Sequence, residues 1–203
     1  MDTLSIVFLG SSGVGKSSLC LQFCQRYFCG SYEPTLEDAH LTAVTYDDRT
    51  VHTPIIDVGG GDSLQALREE LLVRDVAFAL VYSITERESF SAACHLFAQL
   101  QHARQGGAAH CVLVGNKADQ HIHRVVALEE GAKFGAEKGI PFVEVSATSY
   151  TSTARLFRAL VRFSYAGAIC NVRCGGPPGG RRGTHLSRVS TSREEKASCE
   201  GVV

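Results

Sequence analysis

From the amino end to about residue 166, short unbroken apolar runs alternate with longer stretches in which apolar residues recur every three or four positions. The runs have strand length and the recurring pattern has helical period, so the alternation predicts an α/β domain around a mainly parallel sheet. Six strands are expected, over 4–9, 40–46, 51–58, 76–84, 110–115 and 141–146. Five helices should begin near Gly15, near Ser63, at Arg87-Glu88-Ser89, near Ala127 and around Thr151. Only Asp47-Asp48-Arg49-Thr50 separates the second strand from the third, a polar link that predicts a hairpin and makes the sheet mixed. Phe90, Cys94, Phe97 and Leu100 in the third helix, and Leu156, Leu160 and Phe163 in the fifth, form the stripes expected to face the core. Pro54 brings no amide donor into the third strand and predicts a bulge or an exposed edge there.

Beyond Ala166 the pattern stops and the chain turns to Gly, Pro, Ser and Arg. Such a stretch carries too little apolar surface to offset the entropy of ordering it, so 167–203 is expected to be a flexible tail behind a domain at 1–166. A chain of 203 residues has room for that arrangement and not for two large domains. Lys and Arg total 20 against 21 Asp and Glu, without the basic excess of a nucleic-acid binder, and no nucleic acid is expected as a partner. The balance hides an asymmetry, since 1–166 carries a net charge of −4 and the tail +3. No apolar run approaches the length of a membrane span, and the amino terminus lacks the pattern of a signal peptide. The eight cysteines are therefore read as thiols of a reducing, cytoplasmic compartment. Cys20, Cys24 and Cys29 suggest metal spacing, but Cys20 and Cys24 lie one helical turn apart among apolar residues and a fourth ligand is missing.

The chemistry gathers at strand ends. Gly10-Ser11-Ser12-Gly13-Val14-Gly15-Lys16-Ser17-Ser18 follows the first strand and fits G-x-x-x-x-G-K-[ST] without a departure. Its glycines let backbone N–H groups wrap a diphosphate, and the next helix points its positive end at the anion. Lys16 reaches the terminal oxygens and the Ser17 hydroxyl suits Mg2+. Asp57, closing an apolar run before Val58-Gly59-Gly60, is the kind of second acidic group that holds Mg2+ through water. Asn116-Lys117-Ala118-Asp119, after the fifth strand, carries the base choice. An Asp carboxylate accepts paired hydrogen bonds from guanine N1–H and its 2-amino group, a pair that adenine lacks. Ser146-Ala147-Thr148, behind the sixth strand, is positioned to offer backbone N–H groups to the guanine oxygen.

On these motifs the chain resembles a Ras-like small GTPase of the Ras subfamily over about 4–166. The resemblance implies a P-loop NTPase G domain, with a six-stranded mixed sheet (one antiparallel strand) flanked by five helices. Tyr32-Glu33-Pro34-Thr35-Leu36-Glu37-Asp38 looks like the switch I effector loop of that subfamily, in which Thr35 would bind Mg2+ beside Ser17 when a γ-phosphate is present. Phe28 sits where the family packs an aromatic edge on guanine, Tyr32 and Pro34 fall in the nucleotide-facing loop, and Gly60 would give its N–H to the γ-phosphate. Lys16, Thr35 and Gly60 thereby become the candidates for catalysis. The cofactors implied are GTP or GDP and Mg2+. The implied partners are effectors at Tyr32 to Asp38, an exchange factor and a GTPase-activating protein, with the chain acting as a monomer.

Departures from the family pattern set the finer expectations. Gly61 stands where the family has the Gln that orients the attacking water, and a hydrogen atom cannot position a water. Nucleotide binding should survive and GTP hydrolysis should slow, unless Asp62 or a partner supplies the group. Ser12 resembles the Rab form of the loop, a small residue that is either tolerated or crowds an incoming arginine finger. Thr148 replaces the Lys or Leu usual after Ser-Ala, for which a modest loss of affinity is expected. Glu200 occupies the position a C-terminal prenylation box reserves for Cys, so that lipid is not expected. Cys170 and Cys174, followed by Arg181-Arg182, leave reversible acylation and contact with the cytoplasmic face of a membrane as the alternative to a solvated tail. The leading reading is a guanine-nucleotide switch with weak GTPase activity. Two others stand beside it: a non-cycling GTP-bound scaffold, and a P-loop small-molecule kinase that leaves Asn116 and Asp119 unexplained.

Overall fold

The computed structural model describes residues 3–28, 37–46, 49–59, 76–105 and 110–174. Along the chain these form β1 (Ile6–Leu9), α1 (Lys16–Gln25), β2 (Glu37–Tyr46), β3 (Arg49–Val58), β4 (Ala77–Ser83) and α2 (Arg87–Ala103). There follow β5 (Cys111–Asn116), a 3-10 helix (Ala118–His123), α3 (Leu128–Lys138), β6 (Phe142–Glu144) and α4 (Tyr150–Cys174). The six strands make one sheet in the order β2-β3-β1-β4-β5-β6, antiparallel between β2 and β3 and parallel elsewhere. That is the expected mixed sheet. The helix expected near Ser63 lies outside the described residues, as do Asp47 and Asp48, across which the β2–β3 register closes at Tyr46 opposite Arg49.

Strand alternation divides the core into two layers. Ile6 and Phe8 of β1 face the same side as Ala77, Ala79 and Val81 of β4 and are covered by Leu19 and Cys20 of α1 and by Leu156, Phe157, Leu160 and Val161 of α4. Val7 and Leu9 face the other side with Phe78, Leu80 and Tyr82, under Ala93, Leu96, Phe97 and Leu100 of α2. Both faces are thus buried, which is why β1, β4 and β5 read as continuous apolar runs rather than as alternation. The α2 stripe is turned slightly from the one expected: Ala93 and Leu96 sit at its centre, while Phe90 and Cys94 flank it.

Two expectations are corrected. Pro54 causes no bulge, since the β2–β3 register runs unbroken through Leu41 opposite Pro54, and β3 is an interior strand. Leu4 N–H donates to His52 O at 3.0 Å, so alternation aims the donorless nitrogen of Pro54 toward the chain before β1, where the β1–β3 ladder has yet to begin at Ile6 opposite Ile55. The second concerns Ala166, beyond which the chain was expected to leave regular structure; α4 instead runs on to Cys174.

Candidate functional site

Among the described residues, the phosphate loop, Asp57, Asn116 to Asp119 and Ser146 to Thr148 sit at the carboxyl ends of β1, β3, β5 and β6, where open α/β sheets bind ligands. The loop after β1 bends through positive φ at Gly10, Gly13 and Gly15. At Gly10 a Cβ would come to 2.1 Å from Val81 O of the neighbouring strand, and at Gly15 to 2.4 Å from Asn116 Nδ2. Neither position admits a side chain, so the loop passes close beneath β4 and β5. Lys16 opens α1, is 6% exposed, and donates from Nζ to Gly10 O at 3.1 Å and Ser11 O at 2.9 Å. Its ammonium is held across the mouth of the loop, with Ser12 and Gly13 exposed at the rim, Val14 buried beneath it, and Ser17 and Ser18 on the first turn of the helix.

Asp57 closes β3 beside this loop. It is 1% exposed, and neither carboxylate oxygen has a well-formed hydrogen bond. Burial pushes its pKa up, the nearby Ser17 hydroxyl and the Lys16 ammonium pulling it back. An enclosed, unsatisfied carboxylate next to a hydroxyl suits a hard divalent cation that keeps part of its water shell, as Mg2+ does. The register also sets Asp38 of β2 directly opposite Asp57, and Asp38 Oδ2 lies 3.5 Å from His40 Nε2.

Asn116, the last residue of β5, ties the phosphate loop to the base loop. Its Nδ2 donates to Val14 O at 2.8 Å and, at 3.4 Å, to Gly15 O. Lys117 follows in the left-handed region at φ 64°, turning the chain into the 3-10 helix that carries Asp119. The Ser146 hydroxyl donates to Asp119 Oδ1. Of the three backbone N–H groups expected to meet the guanine oxygen, two are committed within the protein. Ser146 N–H donates to Ser152 Oγ at 3.2 Å, and Thr148 N–H to Ser146 Oγ at 3.2 Å. Ala147 supplies the N–H of that loop without a protein partner among the described residues.

The phosphate loop is thus joined through Asn116 to the segment that carries Asp119. The sequence model of the Ras family matches residues 5–165. The chain belongs to the Ras family. It is 36% identical over 157 residues to Ras-like protein 1 of Saccharomyces cerevisiae, covering 77% of this chain and 51% of that protein. It is 35% identical over 161 residues to the Ras-related protein R-Ras of Homo sapiens, covering 79% of this chain and 74% of that one. The chain thus spans about half the length of the yeast relative and about three quarters of the human one.

Part of the site expected of a Ras family member falls on residues that are not described. Tyr32, Pro34, Thr35 and Gly60, together with Gly61 and Asp62, lie outside the described residues. Phe28, three residues past the end of α1, is 43% exposed. Cys20 is buried and Cys24 partly buried on α1, Cys29 lies outside the described residues, and no three His, Cys, Asp or Glu residues among those described cluster to hold a metal. No helix among the described residues is long and apolar enough to cross a membrane.

Sequence reasoning missed three supports. Gln22, buried in α1, donates from Nε2 to Thr148 O at 3.4 Å. Arg124 holds Glu144 through both guanidinium nitrogens, at 2.6 and 2.8 Å, pinning the end of the 3-10 helix to β6. Ser149 caps α4, its Oγ accepting from Ser152 N–H at 3.3 Å. Only the last had a sequence signal, a serine one place before the helical pattern.

Proposed function

We propose that the chain is a guanine-nucleotide switch that binds GDP and GTP tightly and hydrolyses GTP slowly. The observation that carries the binding is Asn116, whose side chain joins the phosphate-wrapping loop to the loop bearing Asp119, so that one residue sets the distance from phosphate to base. Lys16 would neutralise the phosphate oxygens, and Ala147 N–H would meet the guanine oxygen. Asp119 would read the N1–H and 2-amino edge. Ser17 and Thr35 would hold Mg2+ directly and Asp57 through water, and the ion, when bound, supplies positive charge at the phosphates. Gly60 N–H and Thr35 would follow the terminal phosphate, so that its loss releases both loops.

Slow hydrolysis rests on Gly61, which offers no group to orient a water. Single-turnover hydrolysis is expected to run well below that of human R-Ras assayed alongside, and Gly61→Gln is expected to raise it by at least about tenfold. Equal rates for the two proteins, unmoved by substitution at Gly61 or Asp62, would overturn the reading. Purified protein retaining neither GDP nor GTP, or holding ATP as well as either, would overturn nucleotide recognition itself. A rate of zero in both forms would favour the non-cycling scaffold.

Effectors are assigned to Tyr32 to Asp38 and the free edge of β2, and nucleotide state to an exchange factor and a GTPase-activating protein. The chain is taken to act as a monomer in the cytoplasm. Reversible contact of its basic tail with a membrane is tested by palmitate labelling of the chain and of a Cys170/Cys174 double Ser variant.

A further inference from the structure

The geometry points to Thr148 as a positioning residue for guanine recognition, acting through Ser146 on Asp119. The inference rests on the reading of Asp119 as the base-selecting carboxylate and goes beyond it. Ser146 Oγ has three neighbours: Asp119 Oδ1, Thr148 Oγ1 at 2.7 Å and Thr148 N–H at 3.2 Å. A hydroxyl has one proton to give and two lone pairs to fill, and an ionised carboxylate can only accept. The Ser146 proton is therefore committed to Asp119. The contact between the two hydroxyls then has a single consistent direction, with Thr148 Oγ1 donating to Ser146 Oγ. The Thr148 amide fills the remaining lone pair, and Ser146 is saturated.

Thr148 is itself anchored from behind. Its carbonyl accepts from Gln22 Nε2 at 3.4 Å, and Gln22 is 7% exposed on the helix that begins with Lys16. A hydrogen-bonded chain thus runs from α1 through Gln22, Thr148 and Ser146 to Asp119. Chains of this kind polarise one another, and a satisfied one holds its terminal group in a single orientation. The carboxylate needs that orientation to accept two parallel hydrogen bonds from one base edge. A Lys or Leu at 148, as the family usually has, brings no hydroxyl beside Ser146 Oγ and keeps only the backbone N–H bond to it. On this account the substitution does more than remove an apolar stem from the pocket: it exchanges packing on the base for control of the residue that reads it.

The experiment compares release of GDP and of IDP, whose base lacks the 2-amino group, from the full chain and from Thr148→Val and Thr148→Ser. Val keeps the shape and removes the donor, whereas Ser keeps the donor. Thr148→Val is expected to speed GDP release roughly fivefold to tenfold and IDP release less, narrowing the preference for GDP. Thr148→Ser should restore both rates and their ratio. Three results would overturn the proposal: GDP release from Thr148→Val at the original rate, GDP and IDP release accelerated equally, as simple loosening of the loop would give, or no rescue by Ser. Asp119→Asn, measured with GDP and XDP, separates the two levels. If it leaves GDP release unchanged and gains nothing for XDP, the reading of Asp119 has failed, whereas a switch toward XDP with an inert Thr148→Val would sink the role of Thr148 alone.

Discussion

Glu130 carries three hydrogen bonds on one carboxylate. It accepts from both terminal nitrogens of Arg87 and from the Ala127 N–H at the start of α3. The Arg87 contact first, and the Ala127 amide second, hold its pKa down to about 2. A carboxylate whose pKa is lowered by folding stabilises the fold above its ordinary value near 4.5, and that stability is lost as pH falls toward 2. Urea melts of the chain and of Glu130→Gln should therefore differ at pH 6 and converge by about pH 2. Asp57 has the opposite environment, since burial works against its charge and Ser17, Lys16 and His40 only partly oppose that. Asp57→Asn is expected to cut the effect of Mg2+ on GDP release by roughly tenfold or more, measured with and without a chelator. Gly10 is constrained by space as well as by φ. Gly10→Ala would drive a methyl group into Val81 O, at an expected cost of about 2–4 kcal/mol, read from the denaturation midpoint.

Among the elements, the strands that form unbroken apolar runs were legible from residue type alone. The phosphate loop, Asp57, Asn116 and Asp119 each lie at or just past the end of a strand that the apolar pattern placed to within a few residues, most plainly at β1 and β5, which are buried on both faces. Contacts between distant segments were not legible. Nothing about Arg124 in the sequence singles out Glu144, twenty residues on, and the 3-10 helix that Arg124 ends is too short to print a period. Pro54 was misjudged for the same reason: what a missing donor costs depends on which neighbour it faces, and that is a property of the sheet. The length of α4 also escaped, since residues 167–174 combine Gly, Ala, Asn and Arg without a sustained stripe. The Arg124–Glu144 pair braces the two base loops from below. Arg124→Ala is expected to cost about 1–3 kcal/mol and to accelerate GDP release, measured by chemical denaturation and by exchange of a fluorescent GDP.

For the molecule as a whole, the layer between the sheet and the pair α1 and α4 carries the phosphate site. Phe157 is fully buried there, its ring 3.8 Å from that of Phe23 in α1 and 5.6 Å from that of Phe8 in β1. Phe157→Ala should lose about 3–5 kcal/mol of stability and weaken nucleotide retention with it, because α1 presents Lys16 and Ser17. Calorimetry with and without saturating GDP would show both effects.

The cross-strand register of β2 and β3 leaves two negative groups face to face, Asp38 toward solvent and Asp57 toward the interior. Burial first, and Asp38 in addition, raise the work of keeping Asp57 charged. A basic protein docking on the outer strand would relieve that repulsion from one side, and a divalent ion settling behind it would do so from the other. Because such relief must be mutual, a partner that clasped the rim would tighten the grip on an ion within, and eviction of that ion would loosen the clasp.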